Sequence, residues 1–156
     1  MKEGGNLMLS ALRTRTARLV GCVVVVGVVA TGCFAGQAPP SGQSGELFHL
    51  VNRDRGGGLA WDGQLAGLAQ EWAQHIATVN GPVHRNMQQV LNLGFRGAAE
   101  NVIVWPSCNV SAAQIEAAWM NSPLHRRNIF GNYNAVGIGV ACVNGRLGAV
   151  QNFGLR

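Results

Sequence analysis

The chain has 156 residues, of which 47% are hydrophobic and 12% charged, and carries a formal net charge of +5. That composition supports one compact domain with a real core once any targeting segment is set aside. Lys2, Arg13, Arg15 and Arg18 against Glu3 supply most of the positive balance, and the other basic residues are scattered arginines, which argues against a nucleic-acid partner.

The N-terminus reads as a bacterial secretory signal over residues 1–33: basic residues up to Arg18, an apolar run over 19–30, then small residues up to Cys33. The apolar run is too short to span a bilayer as a mature helix. Ala30-Thr31-Gly32-Cys33 resembles a lipobox, in which the cysteine becomes the lipidated first residue after cleavage. Leu19-Val20-Gly21-Cys22 fits the four-residue pattern slightly better but precedes the apolar run, so position selects Cys33 for lipidation. The alternative is plain cleavage near Ala35 or Ala38 with full release. Either route exports the protein, to the outer face of the cytoplasmic membrane as a lipoprotein or to the extracellular space. Its contact with the membrane is expected only through that anchor. Cys108 and Cys142 then remain as an even pair in an oxidising compartment, most simply a disulfide.

Residues 34–45 have the Gly, Gln, Ala, Pro and Ser composition of a flexible tether, and the domain is expected over 46–156. Leu47, Leu50 and Val51 recur at helical spacing until Gly56-Gly57-Gly58 ends the helix. A second helix is predicted with Asp62 as its cap and Leu65, Leu68, Ala69, Trp72 and Ile76 on one face, closed by a left-handed cap at Asn80-Gly81-Pro82. His84 follows in a loop or short turn, a helical piece is expected over 87–91, and 94–98 reads as irregular. Glu100-Asn101-Val102-Ile103-Val104-Trp105 is a β-branched run closed by Pro106, with Glu100, Val102 and Val104 on one face and Asn101, Ile103 and Trp105 on the other.

Ser111-Ala112-Ala113-Gln114 has the pattern of a capping box, flanked by Val110 and Ile115 as a hydrophobic staple, and predicts a helix from Ala112 that buries Ile115, Ala118 and Trp119. It breaks at Asn121-Ser122-Pro123. There Ser122 is placed as N-cap of a further helix and Pro123 as its first residue, so the serine hydroxyl should accept from the backbone N–H of His125. The helix dipole at that position favours a neutral imidazole. From Ala135 the period changes to two. Val136, Ile138, Val140 and Cys142 fill one face, and the small residues opposite them, Gly137 and Gly139 among them, predict close approach of a backbone or helix. Asn144-Gly145 signals a two-residue hairpin turn before a strand over 147–153. Helices followed by interleaved strands indicate a mixed α/β layered domain with a mainly antiparallel sheet.

Three side chains are candidates to converge: His84, Glu100 and His125. Two imidazoles and a carboxylate suit zinc with an open position, or an acid–base cluster, although no short metal motif is present. Glu100 has a salt bridge to Arg85 or Arg96 as its competing role. His84 has that of a solvated loop residue, and His125 that of a hydrogen-bonding group at a helix terminus. Cys108 paired with His125 as a nucleophile is disfavoured by the expected disulfide. Arg126-Arg127 reads as a solvated helix face rather than an anion grip, and His49 and His75 receive no role. Trp61, Trp72 and Trp119 lie at core-like helical spacing.

Residues 46–154 resemble the CAP superfamily, the SCP-type domain of cysteine-rich secretory proteins, antigen 5 and plant pathogenesis-related proteins, in its short bacterial form. The pieces that carry the resemblance are Leu50-Val51-Asn52-Arg53-Asp54-Arg55, His84-Arg85, Ala99-Glu100-Asn101-Val102, the run Trp119-Met120-Asn121-Ser122-Pro123-Leu124-His125-Arg126-Arg127-Asn128-Ile129, and Val136-Gly137-Ile138-Gly139-Val140. The resemblance implies an α-β-α sandwich with a central antiparallel sheet. It also implies a cleft with two histidines and two acidic residues that binds a divalent metal in some members. The first histidine falls on His84, the first glutamate on Glu100 and the second histidine on His125, whereas the second glutamate falls on Ser122. This chain therefore keeps a His-Glu-His set without the full acid–base tetrad.

The expected function is that of an exported, monomeric, cell-envelope binding module. Its His84–Glu100–His125 cleft would take a divalent cation, zinc foremost, and an envelope ligand or lipid. The opposing expectation is a metal-dependent hydrolase of envelope peptide or cell-wall material, with the same three residues as the catalytic candidates.

Overall fold

A computed structural model describes residues 42–79 and 81–156. The signal, Cys33, most of the tether and the Asn80 cap lie outside them. The elements are α1 (Gln43–Arg55), β1 (Ala60–Trp61), α2 (Gly63–Thr78), α3 (Gln88–Leu91), β2 (Gly97–Trp105), α4 (Ala112–Asn121), α5 (Pro123–Ile129), β3 (Ala135–Val143) and β4 (Arg146–Leu155).

The sheet is four-stranded in the order β1-β3-β4-β2. The β3–β4 and β4–β2 pairs are antiparallel, and the short β1 runs parallel to β3. Asn144 and Gly145, both at positive φ, make the turn between β3 and β4, as the Asn-Gly pair predicts.

The predicted division of β3 into a large and a small face organises the layers. On one face Val136 and Ile138 join Leu47, Val51, Ile115, Trp119 and Phe153 in the main core under α1 and α4. On the other, α2 lies directly against the strands. A Cβ on Gly137 would collide with the Leu65–Ala66 backbone, one on Gly139 with the Ala69–Gln70 backbone, and one on Gly148 with the Ala73 carbonyl. Helices on both faces of the sheet give the expected mixed α/β sandwich. The alternation read for β2 also holds: Val102 and Val104 pack with α2, while Ala99, Ile103 and Trp105 pack on the α1–α4 side.

Local chemistry sets the helix ends. Asp62 accepts from the N–H groups of Gln64 and Leu65, both at 3.0 Å, and starts α2. Ser111 and Gln114 form the reciprocal capping box of α4. Gly56, at φ 83°, closes α1 in the left-handed conformation. Cys108 and Cys142 are bonded, with Cα atoms 5.7 Å apart, and tie the loop before α4 to the end of β3.

Several boundaries differ from expectation. Helix α1 begins at Gln43, inside the segment read as tether, where the Gln43 side chain donates to the Val110 carbonyl and anchors that end to the loop before α4. Strand β2 begins at Gly97 because it pairs with β4 out to Leu155, so 97–98 are extended rather than irregular. Helix α2 ends at Thr78, with Val79 already extended. Trp61 lies on β1 rather than a helix, edge-on to Phe48 at 5.7 Å. Ser122 occupies the N-cap position of α5, but its hydroxyl makes no cap bond; its carbonyl accepts from the Arg126 N–H at 2.8 Å instead.

Candidate functional site

The site forms where the loop after α2 meets β2 and α5. His84 is carried by that loop, which is held from three directions. The Trp72 indole N–H donates to the Val83 carbonyl at 2.8 Å. The Arg85 guanidinium is buried, donates to the Leu68 carbonyl and to Gln89, and lies over the Trp72 ring at 5.3 Å. The Arg85 backbone N–H donates to Glu100 Oε1 at 3.1 Å. His75, given no role by the sequence, stacks on Trp72 at 4.4 Å.

Glu100 faces α2 from the middle of β2, its side chain 1% exposed. Its Oε1 lies 2.8 Å from Nδ1 of His84, whose side chain is 59% exposed. Its Oε2 faces Asn152, directly opposite on β4; with the amide oriented to satisfy both neighbours, Asn152 donates to Oε2 at 3.3 Å and accepts from the Ala69 N–H at 3.2 Å. Burial pushes the Glu100 carboxyl up from its ordinary range, and the bonds from His84 and from the Arg85 N–H oppose that rise. The expected salt bridges to Arg85 or Arg96 are not what holds it. Arg85 contributes its backbone N–H, and Arg96 donates to the Arg156 carbonyl.

His125 follows Pro123 and Leu124 in the first turn of α5 and is half-buried. Its imidazole is held below the usual histidine range, first by burial and then by the charge of His84, which places the two rings within electrostatic reach. That lowering agrees with the neutral ring expected there, and burial is its main cause. On the outer side of α5, Leu124 and Phe130 are exposed and the Arg126 guanidinium lies over the Phe130 ring at 5.0 Å.

The sequence candidates are therefore brought together unequally. Glu100 and His84 form a direct pair, His125 stands close by, and Ser122 is half-buried at the α4–α5 break. Among the described residues, no three His, Cys, Asp or Glu side chains are grouped so as to hold a metal ion. With both oxygens of Glu100 engaged, its role here is that of a partner fixing the His84 ring: a proton on Nδ1 leaves the lone pair on Nε2, the exposed donor.

A second set of polar residues was not singled out from the sequence. Asn128 on α5 donates to the Glu100 carbonyl at 3.1 Å and to Asn101 Oδ1 at 2.9 Å. Asn101 donates to the His125 carbonyl at 3.1 Å and to Gln151 Oε1 at 3.0 Å, and Gln151 donates to Glu116 Oε2 at 3.1 Å. Asn101, Glu116 and Gln151 are buried. The signal that could have found Glu116 is its spacing: Ala112, Ile115, Glu116 and Trp119 form one helical stripe, which puts a carboxyl at a core position.

Residues 57–153 match the family model described as CAP, the cysteine-rich secretory protein family. Comparison with curated proteins gave no match. Among solved structures, the chain resembles an extracellular protein containing an SCP domain from Bacillus anthracis str. Ames, with TM-score 0.62 and 24% identity over 73% of this chain and 40% of that one. It resembles a cysteine-rich secretory protein of Staphylococcus aureus subsp. aureus Mu50 with TM-score 0.54 and 18% identity over 73% of this chain and 38% of that one. Schistosoma mansoni venom allergen-like protein 4 gives TM-score 0.56 and 12% identity over 74% of this chain and 90% of that one. The chain thus spans about two fifths of each of the two bacterial proteins, and at these identities the likeness concerns the fold.

Proposed function

This chain belongs to the cysteine-rich secretory protein (CAP) family, and from that premise we propose that it is an exported cell-envelope protein whose His84–His125 site is a binding site. Export is supported by the signal pattern over residues 1–33 and by the Cys108–Cys142 disulfide, which belongs to an oxidising compartment. An extracellular Bacillus anthracis protein and an outer surface protein of Borrelia burgdorferi, both similar to this chain in fold, agree with it. A lipidated Cys33, read from the lipobox, would hold the protein at the membrane surface, with the functional domain opening at Gln43, the first residue of α1. A mature N-terminus beyond Cys33, or one without acyl mass by mass spectrometry, would replace this by free secretion.

The observation that carries the binding reading is the state of Glu100. Both carboxylate oxygens are engaged by His84, the Arg85 N–H and Asn152, so the one acidic group of the site is committed to holding the His84 ring. Ser122 offers a hydroxyl where the family tetrad has its second acid. The donors left are the two imidazoles, fewer than the three protein ligands of a hydrolytic zinc centre. They suit an exchangeable divalent ion, zinc foremost, whose other positions water or an envelope ligand fills. The Nε2 lone pair of His84 that would bind the ion could equally accept a proton, and substrate turnover separates the two uses.

Calorimetric titration of zinc into the protein tests this, with His84→Ala and His125→Ala beside it. The expected result is measurable heat in the wild type that is lost in both variants, without turnover of peptide or cell-wall substrates. Absence of heat in the wild type removes the metal from the proposal. Zinc-dependent turnover abolished in both variants would reverse it in favour of a hydrolase.

A further inference from the structure

The chain of buried amides between the site and α4 has a fixed direction. Asn128 Nδ2 faces the Glu100 carbonyl and Asn101 Nδ2 faces the His125 carbonyl, and a backbone carbonyl can only accept. These two contacts fix both asparagine amides. Asn101 Oδ1 must then be the atom facing Asn128, Gln151 must turn Oε1 to Asn101, and Gln151 Nε2 must donate to Glu116 Oε2. The ladder thus runs from two backbone carbonyls of the site, one of them that of His125 itself, to a single carboxyl in the core.

That carboxyl is incompletely satisfied. Glu116 Oε1 and, one turn along α4, Trp119 Nε1 are buried without a hydrogen-bond partner among the described residues. A carboxyl held by one bond from Gln151 is poorly compensated when charged, and Oε1 is the oxygen free to carry a proton. The charged groups acting on it come from α1, where Asp54 opposes its ionisation and Arg53 favours it; β4 contributes the uncharged Gln151. Ionisation strengthens the bond from Gln151, and linked amides polarise one another, so a change at Glu116 is felt along the ladder.

We infer that Glu116 is a positioning residue for the site, acting on the His125 backbone through Gln151 and Asn101, so that the protonation state of a core carboxyl is read at the binding histidine. The consequence for binding rests on the function proposed above, whereas the coupling itself is measurable with no ligand present.

The test is NMR on the full chain across neutral pH, following the Glu116 side-chain carboxyl, the Asn101 side-chain amide and the His84 and His125 rings. In the wild type the Asn101 amide is expected to shift with the midpoint of Glu116, with the two histidine rings followed separately in the same titration. Glu116→Gln should abolish that step, and Gln151→Leu should leave Glu116 titrating while Asn101 no longer follows. An Asn101 amide that ignores the Glu116 midpoint, or follows it equally well in Gln151→Leu, overturns the inference. Should either variant fail to fold, the wild-type comparison decides alone. Zinc titrations at pH values on either side of the Glu116 midpoint then separate the two readings. A wild type that binds no zinc but shows the shared midpoint removes the proposed function and keeps the coupling. A wild type that binds zinc without the shared midpoint does the reverse.

Discussion

His84 Nδ1 lies 2.8 Å from Glu100 Oε1, an exposed ring held by a buried carboxylate. Neutral His84 is therefore expected as the Nδ1–H tautomer, leaving Nε2 as the donor, and ring nitrogen chemical shifts would show it. Glu100→Gln removes the charge that fixes this tautomer. Zinc affinity at the site should fall by about 10- to 100-fold, the usual effect of losing such a supporting partner. A dominant Nε2–H tautomer in the wild type would mean that His84 Nδ1 accepts from a protonated Glu100, and unchanged affinity in the variant would remove Glu100 from the support of the site.

The packing of α2 on β3 makes a sharper demand. Gly139 lies under the Ala69–Gln70 backbone, where an added Cβ meets main-chain atoms that cannot rotate away. Gly139→Ala should destabilise the domain by about 2–4 kcal/mol, at the upper end of overpacking costs because the whole helix must shift. Gly67, on α2 with nothing within reach of its Cβ, supplies the control: Gly67→Ala should be neutral or slightly stabilising through helix propensity. Denaturant midpoints of the two variants check the contrast.

What could be read from the sequence was whatever short-range chemistry decides. The capping box at Ser111–Gln114, the Asp62 cap, the Asn144-Gly145 turn and the large–small alternation of β3 each depend on a few neighbouring residues, and each is found. Strand β1 was missed because its two residues become a strand only by pairing with Ala135 and Val136, a contact no local pattern announces. The same holds for the start of β2, set by Leu155. At the site, residue types and chain positions were legible, but the use of Glu100 was not: engagement of both its oxygens depends on Arg85, His84 and Asn152 arriving from separate elements. Glu116 was overlooked because a glutamate on a helix is ordinarily solvated, and only the stripe it shares with Ile115 and Trp119 marks it otherwise.

The Cys108–Cys142 bond links positions 34 apart in sequence. A loop of that length restricts the unfolded chain enough to stabilise the fold by about 3–4 kcal/mol on the chain-entropy account. Reduction should lower the denaturation midpoint accordingly. The native hydrogen bonds around Glu100 should survive, since neither cysteine contributes to them; unchanged His84 and His125 resonances in the reduced folded state would confirm that separation.

Glu116 gives a pH dependence whose sign is fixed by its environment. Burial first, then Asp54, raises its pKa from 4.5 to about 7. The folded state thus holds a proton that the unfolded state releases at lower pH, so the stabilisation linked to this group is complete below pH about 4.5 and is lost as pH rises through about 7. The full span corresponds to roughly 3 kcal/mol for a group this deeply buried, an upper figure. Glu116→Gln cannot ionise, so its stability should lack this decline, whatever constant cost the amide itself brings. The difference between variant and wild type should move in favour of Glu116→Gln between mildly acidic and mildly alkaline pH, read from denaturation midpoints in matched buffers. Parallel profiles would mean that Glu116 titrates near its ordinary value, and its buried, half-satisfied carboxyl would then need a partner that the ladder to Gln151 does not supply.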